Sequence, residues 1–96
     1  MARVVRGNTL LAESDQVVEV EGTLYFPIDS IRAELFEPID QTTVCPWKGT
    51  ASYYDIVVDD ERVAGAAWSY PDPKDAASHI REHVAFYERD GISISV

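Results

Sequence analysis

Short runs of strand-forming residues, separated by two-residue turn signals, dominate the first third of this sequence. The runs are residues 4–6 and 9–11 around Gly7-Asn8, and residues 17–20 and 23–26 around Glu21-Gly22. A two-residue connection that contains Gly or Asn is a strong local signal for a β-hairpin. We therefore expect two hairpins here, and we expect Pro27 to end the second because proline has no backbone N–H for the ladder.

The second half of the chain continues the β pattern. Residues 50–58 and 62–70 are rich in strand formers and flank the polar turn Asp59-Asp60-Glu61. Residues 85–87 predict a further short strand, and residues 92–96 alternate between apolar residues and serine, as a closing strand does.

Polar capping residues predict two short helices. The first covers residues 31–36, with Asp29-Ser30 as its cap and Pro38 as its stop. The second starts at Asp72-Pro73 and runs to about residue 82 or 83. The 96 residues are enough for one small domain, residues 1–96, which we expect to be mainly β and antiparallel.

The charge balance and the single cysteine exclude several classes of protein. Seventeen acidic residues against eight basic ones give a formal net charge of −9, with the basic residues scattered singly, so we expect binding neither to nucleic acid nor to an anionic membrane. The longest apolar stretch, residues 63–68, is far below the roughly 20 residues that span a bilayer. Cys45 is the only cysteine, which excludes an internal disulfide and a multi-cysteine zinc site. Without a secretory signal, a cytoplasmic location is expected.

Aromatic side chains and a lysine define the candidate binding site. If residues 50–58 pair with residues 62–70, Tyr53 lies near Trp68, and the loop that carries Trp47 and Lys48 falls at the same end as Tyr70. The predicted ligand-binding residues are Trp47, Lys48, Gly49, Tyr53, Trp68 and Tyr70. Lys48 would fix an anionic or carbonyl group of the ligand. The alternative is that these aromatic residues form the core, which a small domain needs for stability.

Other residues offer weaker chemistry, and each has a structural alternative. Cys45 and Lys48 are the candidate catalytic residues, with the thiol as nucleophile, but a free cysteine is commonly an inert core residue. His79 and His83 would share one helical face, although solvated or capping histidines fit as well. Asp59-Asp60-Glu61 suits a hard cation or simply a polar hairpin tip. We predict no metal site and no cofactor.

Several motifs together resemble a known bacterial family. They are Tyr25-Phe26-Pro27, Cys45-Pro46-Trp47-Lys48-Gly49 with Ala51 and Tyr53, Ala67-Trp68 with Tyr70-Pro71 and Pro73, and His83-Val84-Ala85-Phe86-Tyr87. This combination resembles the domain of unknown function 427 family, which also carries a nucleotidyltransferase-like label. The resemblance implies a β-tent (Mss4-like) fold of antiparallel sheets with two short helices. With one cysteine, this chain is similar to a zinc-free version of that fold.

Three functional hypotheses remain open, and the sequence leaves open whether any reaction is catalysed. The first is a small-molecule-binding domain with an aromatic pocket and a lysine. The second is a protein interaction module that forms a homodimer or binds a protein partner through a sheet edge. The third is an enzyme, either a nucleotidyltransferase, as the family label implies, or a thiol enzyme that uses Cys45.

Overall fold

The computed structural model describes all 96 residues and contains nine β-strands. The strands are β1 (Ala2–Arg6), β2 (Thr9–Ser14), β3 (Val18–Val20), β4 (Thr23–Pro27), β5 (Phe36–Cys45), β6 (Gly49–Val58), β7 (Glu61–Ser69), β8 (His83–Phe86) and β9 (Ile92–Ser95). They form a three-stranded sheet in the order β2-β1-β9 and a six-stranded sheet in the order β3-β4-β8-β7-β6-β5. Every strand pair is antiparallel. The predicted mainly β, antiparallel class is confirmed.

The hairpins follow the turn signals in the sequence. The β1–β2, β3–β4 and β6–β7 pairs turn where Gly7-Asn8, Glu21-Gly22 and Asp59-Asp60 were expected to turn them. Glu21, Asp59 and Asp60 all adopt positive φ angles, which acidic residues and asparagine tolerate better than β-branched ones. Pro27 is the last residue of β4 and is matched with His83 of β8, so the ladder ends there.

The first predicted helix, over residues 31–36, is wrong. Two 3-10 turns, Ile28–Ser30 and Ala33–Leu35, flank Ile31, which instead bridges to Ala12. The Ser30 hydroxyl donates back to the Pro27 carbonyl at 2.6 Å and caps nothing. Long-range pairing of the backbone with β2 therefore overrides the local helix signal. Phe36 then opens β5, and Pro38 lies inside that edge strand, where a missing N–H is tolerated.

The second predicted helix is a 3-10 segment, Asp75–Ile80, and its predicted cap is wrong. Asp72 leaves 97 % of its side chain exposed and makes no capping bond. The chain is fixed here by a different contact, since the Lys74 N–H donates to the Lys48 carbonyl at 2.9 Å. His83 lies beyond the segment and begins β8, so the helical run to residue 82 or 83 does not form.

The core has two parts, on opposite faces of the six-stranded sheet. The larger part fills the space between the two sheets and includes Val4 and Leu11 from the small sheet and Phe26 and Ile56 from the large one. The second part lies on the other face, where the Asp75–Ile80 segment covers it with two of its side chains. Side chains alternate between the two faces along each strand, which explains why neighbours such as Tyr25 and Phe26 belong to different parts. None of the helical segments has the length and apolarity to cross a membrane.

Candidate functional site

The aromatic residues expected near one another lie in one row across the large sheet. Tyr53 of β6 is matched with Trp68 of β7, and Trp68 is matched with Ala85 of β8. The Trp68 ring centroid lies 6.2 Å from that of Tyr53 and 6.5 Å from that of Tyr25, with the Tyr25 contact edge-to-face. The β6–β7 register therefore brings Tyr53 and Trp68 together as the sequence indicated.

The turn between β5 and β6 places Lys48 between two rings and a carboxylate. The Lys48 Nζ atom lies 4.8 Å from the Trp47 ring centroid and 5.9 Å from that of Tyr70, and it donates to Glu21 Oε1 at 2.7 Å. Burial disfavours the charged amine, but the bond to Glu21 and the nearby Tyr25, Tyr70 and Cys45 groups together outweigh it and raise the pKa of Lys48. The same bond lowers the pKa of Glu21. Lys48 is thus a charged group that is already paired within the chain.

The six predicted ligand-binding residues share no single cavity. Tyr53 and Tyr70 are buried in the second part of the core, against which Trp47 and Trp68 pack. Gly49 lines a shallow polar depression of about 460 Å³, together with Thr50, Ser52, Pro71, Asp72 and Lys74. For Tyr53 and Tyr70, the observed position matches the alternative in which the aromatic residues form the core.

One of the six, Trp68, lines a groove of mixed polar and apolar surface, whose other walls the sequence analysis did not identify. This Trp68 groove has a volume of about 440 Å³ and is lined by Gly22, Thr23, Leu24, Trp68, Phe86, Tyr87, Glu88, Ile94 and Val96. It opens because β4 and β8 are matched only at Phe26–Val84 and Pro27–His83. Beyond those two pairs the strands separate, and residues from β9 close one side of the gap.

The groove carries an aromatic pair in which Tyr87 is exposed and Trp68 is half-buried. The Trp68 and Tyr87 ring centroids are 4.5 Å apart, and Tyr87 leaves 38 % of its surface exposed. The nearby Tyr53 hydroxyl, together with partial burial, raises the pKa of Tyr87. The Arg89 guanidinium lies 4.6 Å from the Tyr87 ring centroid. Glu88 Oε2 accepts the Ile94 N–H at 3.0 Å, which fixes this carboxylate at the rim.

The groove-lining residues that the sequence analysis did not identify were predictable only in part. The alternation in residues 92–96 indicates that Ile94 and Val96 share one face of the closing strand. Nothing in the local pattern shows that this strand pairs with β1, which is the contact that carries Ile94 to the groove. The groove residues on β4 and after β8 depend in the same way on long-range pairing.

Cys45 lies at the end of β5, matched with Gly49 across the turn. Burial opposes ionisation of its thiol, but the backbone N–H groups of Lys48 and Trp47 and the Lys48 charge hold the pKa of Cys45 below its ordinary value. This local environment favours the thiolate.

The remaining candidate residues are dispersed. His79 is exposed in the 3-10 segment, whereas His83 is on β8 with its Nδ1 atom 2.8 Å from the Arg81 carbonyl oxygen. The predicted single helical face that would hold both histidines therefore does not exist. Asp59 and Asp60 lie at the exposed tip of the β6–β7 hairpin. No three His, Cys, Asp or Glu side chains are grouped so that they could hold a metal ion.

Asp55 is a buried carboxylate on β6 that the sequence analysis did not identify, and it binds two residues of β7. Asp55 Oδ1 accepts the Gly65 N–H at 2.8 Å, and Asp55 Oδ2 accepts from Arg62 at 2.9 Å. Gly65 has a φ of +57°, and its carbonyl accepts from Arg89 Nη2 at 3.0 Å. The Gly65 N–H, followed by Arg62, holds the pKa of Asp55 below its ordinary value although burial opposes this. These bonds stabilise the irregular β6–β7 register between Tyr54 and Ile56.

The fold and the groove define a small, mainly β domain with an open aromatic cleft between diverging strands. A family model described as "Domain of unknown function (DUF427)" matches residues 1–94, and the chain belongs to this family. The family resemblance carried by the sequence motifs is thereby confirmed. A comparison with curated proteins gave no match.

Proposed function

We propose that this chain is a small-molecule-binding domain and that the Trp68 groove is its binding site. The observation that carries the proposal is a cavity of about 440 Å³ in which six of nine lining residues are hydrophobic. Ligand sites are typically concave, roughly 300–1,000 Å³ in volume and mostly apolar, with a few polar groups that orient the ligand. The groove has a volume in this range and is lined mainly by hydrophobic residues, with Gly22, Thr23 and Glu88 as the others, although its exposed surface is as polar as it is apolar.

The exposed aromatic pair supports the proposal. A domain of 96 residues has few large side chains to spare from its core, and yet Tyr87 is exposed and Trp68 is only half-buried. Apolar surface gains about 25 cal/mol per Å² when it leaves water. A planar ligand against these two rings would recover free energy that the free protein does not gain.

The backbone of β4 supports a ligand with a polar edge. Residues 23 and 24 pair with β3 on one side, whereas on the other side the pairing with β8 begins only at Phe26. Backbone groups on the groove side of these residues therefore have no strand opposite them. Apolar walls with hydrogen-bonding groups at one edge suit a planar ring that bears polar atoms at its rim.

This proposal retains the aromatic binding site of the sequence analysis and moves its centre from Lys48 to Trp68. Tyr53 and Tyr25 contact the Trp68 ring from the core side and fix its orientation. Lys48 pairs with Glu21, so recognition of an anionic group by Lys48 is not part of the proposal.

Indole, an uncharged planar probe, tests the proposal by NMR. The chain has two tryptophans, so the two side-chain N–H signals are assigned with the variants Trp47→Phe and Trp68→Phe. We expect indole to shift the Trp68 signal to saturation, with a Kd of roughly 1 mM or tighter for a ligand of this size, and to leave the Trp47 signal in place.

Two exposed apolar residues provide a matched pair of variants. Tyr87→Ala removes one wall of the groove, whereas Val44→Ala truncates a side chain that is 76 % exposed on β5. We expect Tyr87→Ala to weaken indole binding several-fold and Val44→Ala to leave it unchanged. An unmoved Trp68 signal at 10 mM indole, or equal shifts of both tryptophan signals, would refute the proposal.

A further inference from the structure

We infer that the ligand of the Trp68 groove is an organic cation, an aromatic ring that bears a protonated amine. This inference rests on the proposed function and adds the chemical class of the ligand. It follows from the Glu88 carboxylate on the lining of the groove and from the aromatic faces of Trp68 and Tyr87.

The first of these charges is Glu88, which is the only charged residue that lines the groove. Its Oε2 atom accepts the Ile94 N–H at 3.0 Å, so the carboxylate is held at the rim by the backbone of β9. A carboxylate that is fixed before the ligand arrives loses little freedom when it binds an ammonium group. Glu88 is otherwise exposed and remains open to a partner.

A second carboxylate stands beside the opposite wall. Glu19 of β3 is matched with Leu24 of β4, and directly matched residues in an antiparallel pair project from the same face. Leu24 lines the groove, so the exposed Glu19 side chain lies on the face of the sheet that borders it. Glu19 thus adds a second carboxylate one strand outside the groove, beside Leu24.

Neither of the neighbouring cations occupies the groove, although Arg89 lies against the outer Tyr87 ring. Arg89 donates to the carbonyl oxygens of Ala64 at 2.7 Å and Gly65 at 3.0 Å, and Lys48 pairs with Glu21. Neither residue lines the groove. Glu88 on the lining, within a chain of net charge −9, favours a cation in the groove over an anion, and the Arg89 guanidinium at the Tyr87 ring opposes this in part.

The rings favour the same class of ligand. The faces of tryptophan and tyrosine attract cations, and Arg89 shows this attraction at Tyr87, with its guanidinium 4.6 Å from the ring centroid. An aryl ring in the apolar part of the groove would place a short aminoalkyl chain toward the Glu88 carboxylate. The cavity volume of about 440 Å³ suits a bicyclic ring with such a chain.

Three probes that share the indole ring system and differ in charge test the inference. They are tryptamine (+1), indole (uncharged) and indole-3-propionate (−1), each titrated against the Trp68 indole N–H signal at low salt. We expect tryptamine to bind about fivefold more tightly than indole, as a cation–π contact and one carboxylate predict, and indole-3-propionate to bind more weakly than indole. The tryptamine preference should shrink in 1 M NaCl because salt screens exposed charges.

Two variants with the same change in net charge locate the effect. Glu88→Gln retains an oxygen for the Ile94 N–H and removes the charge, whereas Glu61→Gln removes a charge that pairs with Arg6 at the far hairpin. We expect Glu88→Gln to reduce the preference for tryptamine over indole about threefold and Glu61→Gln to leave it unchanged.

The outcomes separate the inference from the proposed function. If indole binds at Trp68 and tryptamine binds no more tightly, the inference is overturned while the proposed function stands. If none of the three probes shifts the Trp68 signal, the proposed function fails. If the signal moves with protein concentration and not with the probes, a second copy of the chain occupies the groove, and the inference is overturned.

Discussion

The Lys48 Nζ atom lies 2.7 Å from Glu21 Oε1 and joins two turns that are 27 residues apart in the sequence. One turn connects β3 to β4, and the other connects β5 to β6. These two strand pairs lie at opposite sides of the six-stranded sheet. The contact therefore closes the end of the sheet over the second part of the core. The Lys48 ammonium group, which the sequence analysis predicted to bind a ligand, is instead paired with Glu21 of the same chain.

Replacing Lys48 by methionine tests this link. Lys48→Met keeps a long apolar stem over Trp47 and removes the charge that Glu21 and the Trp47 and Tyr70 rings bind. We expect a loss of about 1 kcal/mol in the free energy of unfolding, which lowers the Tm by about 4–8 °C in a domain of this size. Lys74→Met is the control because the Lys74 ammonium group donates to a carbonyl, that of Pro46, and pairs with no carboxylate. A Tm equal to that of the unchanged protein would contradict the link.

Asp55 should be the most costly acidic residue to truncate. Asp55→Ala leaves the buried Gly65 N–H without an acceptor, which costs about 2–3 kcal/mol in the free energy of unfolding. Glu37→Ala is the matched control, since Glu37 binds the same Arg62 in an exposed pair, and surface pairs contribute little. Chemical denaturation measures both variants. Equal losses for the two variants would show that the Gly65 contact does not stabilise the fold.

The Asp55 contribution should also depend on pH. Folding lowers the pKa of Asp55 below its ordinary value of 3.8, so the folded state binds this proton less readily than the unfolded state. The stabilisation is therefore present above the unfolded pKa and is lost as the pH falls through the folded pKa. We expect the stability difference between the unchanged protein and Asp55→Asn to be constant from about pH 5 to pH 8 and to shrink below pH 3.8. A difference that grows in acid would contradict this.

Gly65 should resist substitution more than another glycine of similar conformation. Gly65 and Gly7 have φ angles of +57° and +60°, but a Cβ at Gly65 would lie 3.0 Å from Gln41 Oε1, whereas one at Gly7 meets nothing within 4 Å. An alanine at positive φ costs about 1 kcal/mol. We expect thermal unfolding to show this loss for Gly7→Ala and a larger one for Gly65→Ala, where the backbone is also tied to Asp55 and Arg89. A smaller loss of stability for Gly65→Ala than for Gly7→Ala would show that the backbone around Gly65 adjusts to the added Cβ without destabilising the fold.

The Cys45 thiol should react at lower pH than an ordinary cysteine. Backbone N–H groups of Lys48 and Trp47 and the Lys48 charge outweigh the effect of burial and lower the pKa of Cys45 from its ordinary value of 9.0. We expect the rate of alkylation by iodoacetamide to rise with a midpoint below pH 9.0, and Lys48→Met to move this midpoint upward. A midpoint at or above pH 9.0 in the unchanged protein would contradict the prediction.

The hairpins were predictable because their signals are local. A turn such as Asp59-Asp60 requires positive φ at both residues, and the flanking strands follow from β-branched and aromatic residues nearby. The row of Tyr53 and Trp68 follows from one hairpin register, so it was predictable as well.

The helices were mispredicted because distant contacts decided these segments. Ile31 bridges to β2, and the Lys74 N–H is bound by the Lys48 carbonyl, so neither stretch keeps its backbone bonds within a helix. Local capping signals contribute only about 1 kcal/mol. Long-range backbone pairing outweighed them.

The candidate site was predictable in part, and the reason is physical. Trp68 was identified because its residue type suits a binding surface, but the groove around it exists only where β4 and β8 separate and where Ile94 of β9 closes the side. Such a gap results from the relative positions of three strands, and no periodic pattern of apolar residues in the sequence indicates it. The pairing of Lys48 with Glu21 is equally long-range.

The small sheet joins the first strand to the last, with Arg3 opposite Ser95. During synthesis on a ribosome, β1 and β2 therefore emerge long before β9, and the side of β1 that receives β9 stays without a neighbour for most of translation. Closure over so many residues is slow relative to hairpin formation. Because Ile94 belongs to that late strand, the wall of the groove that it forms requires β9 to pair with β1.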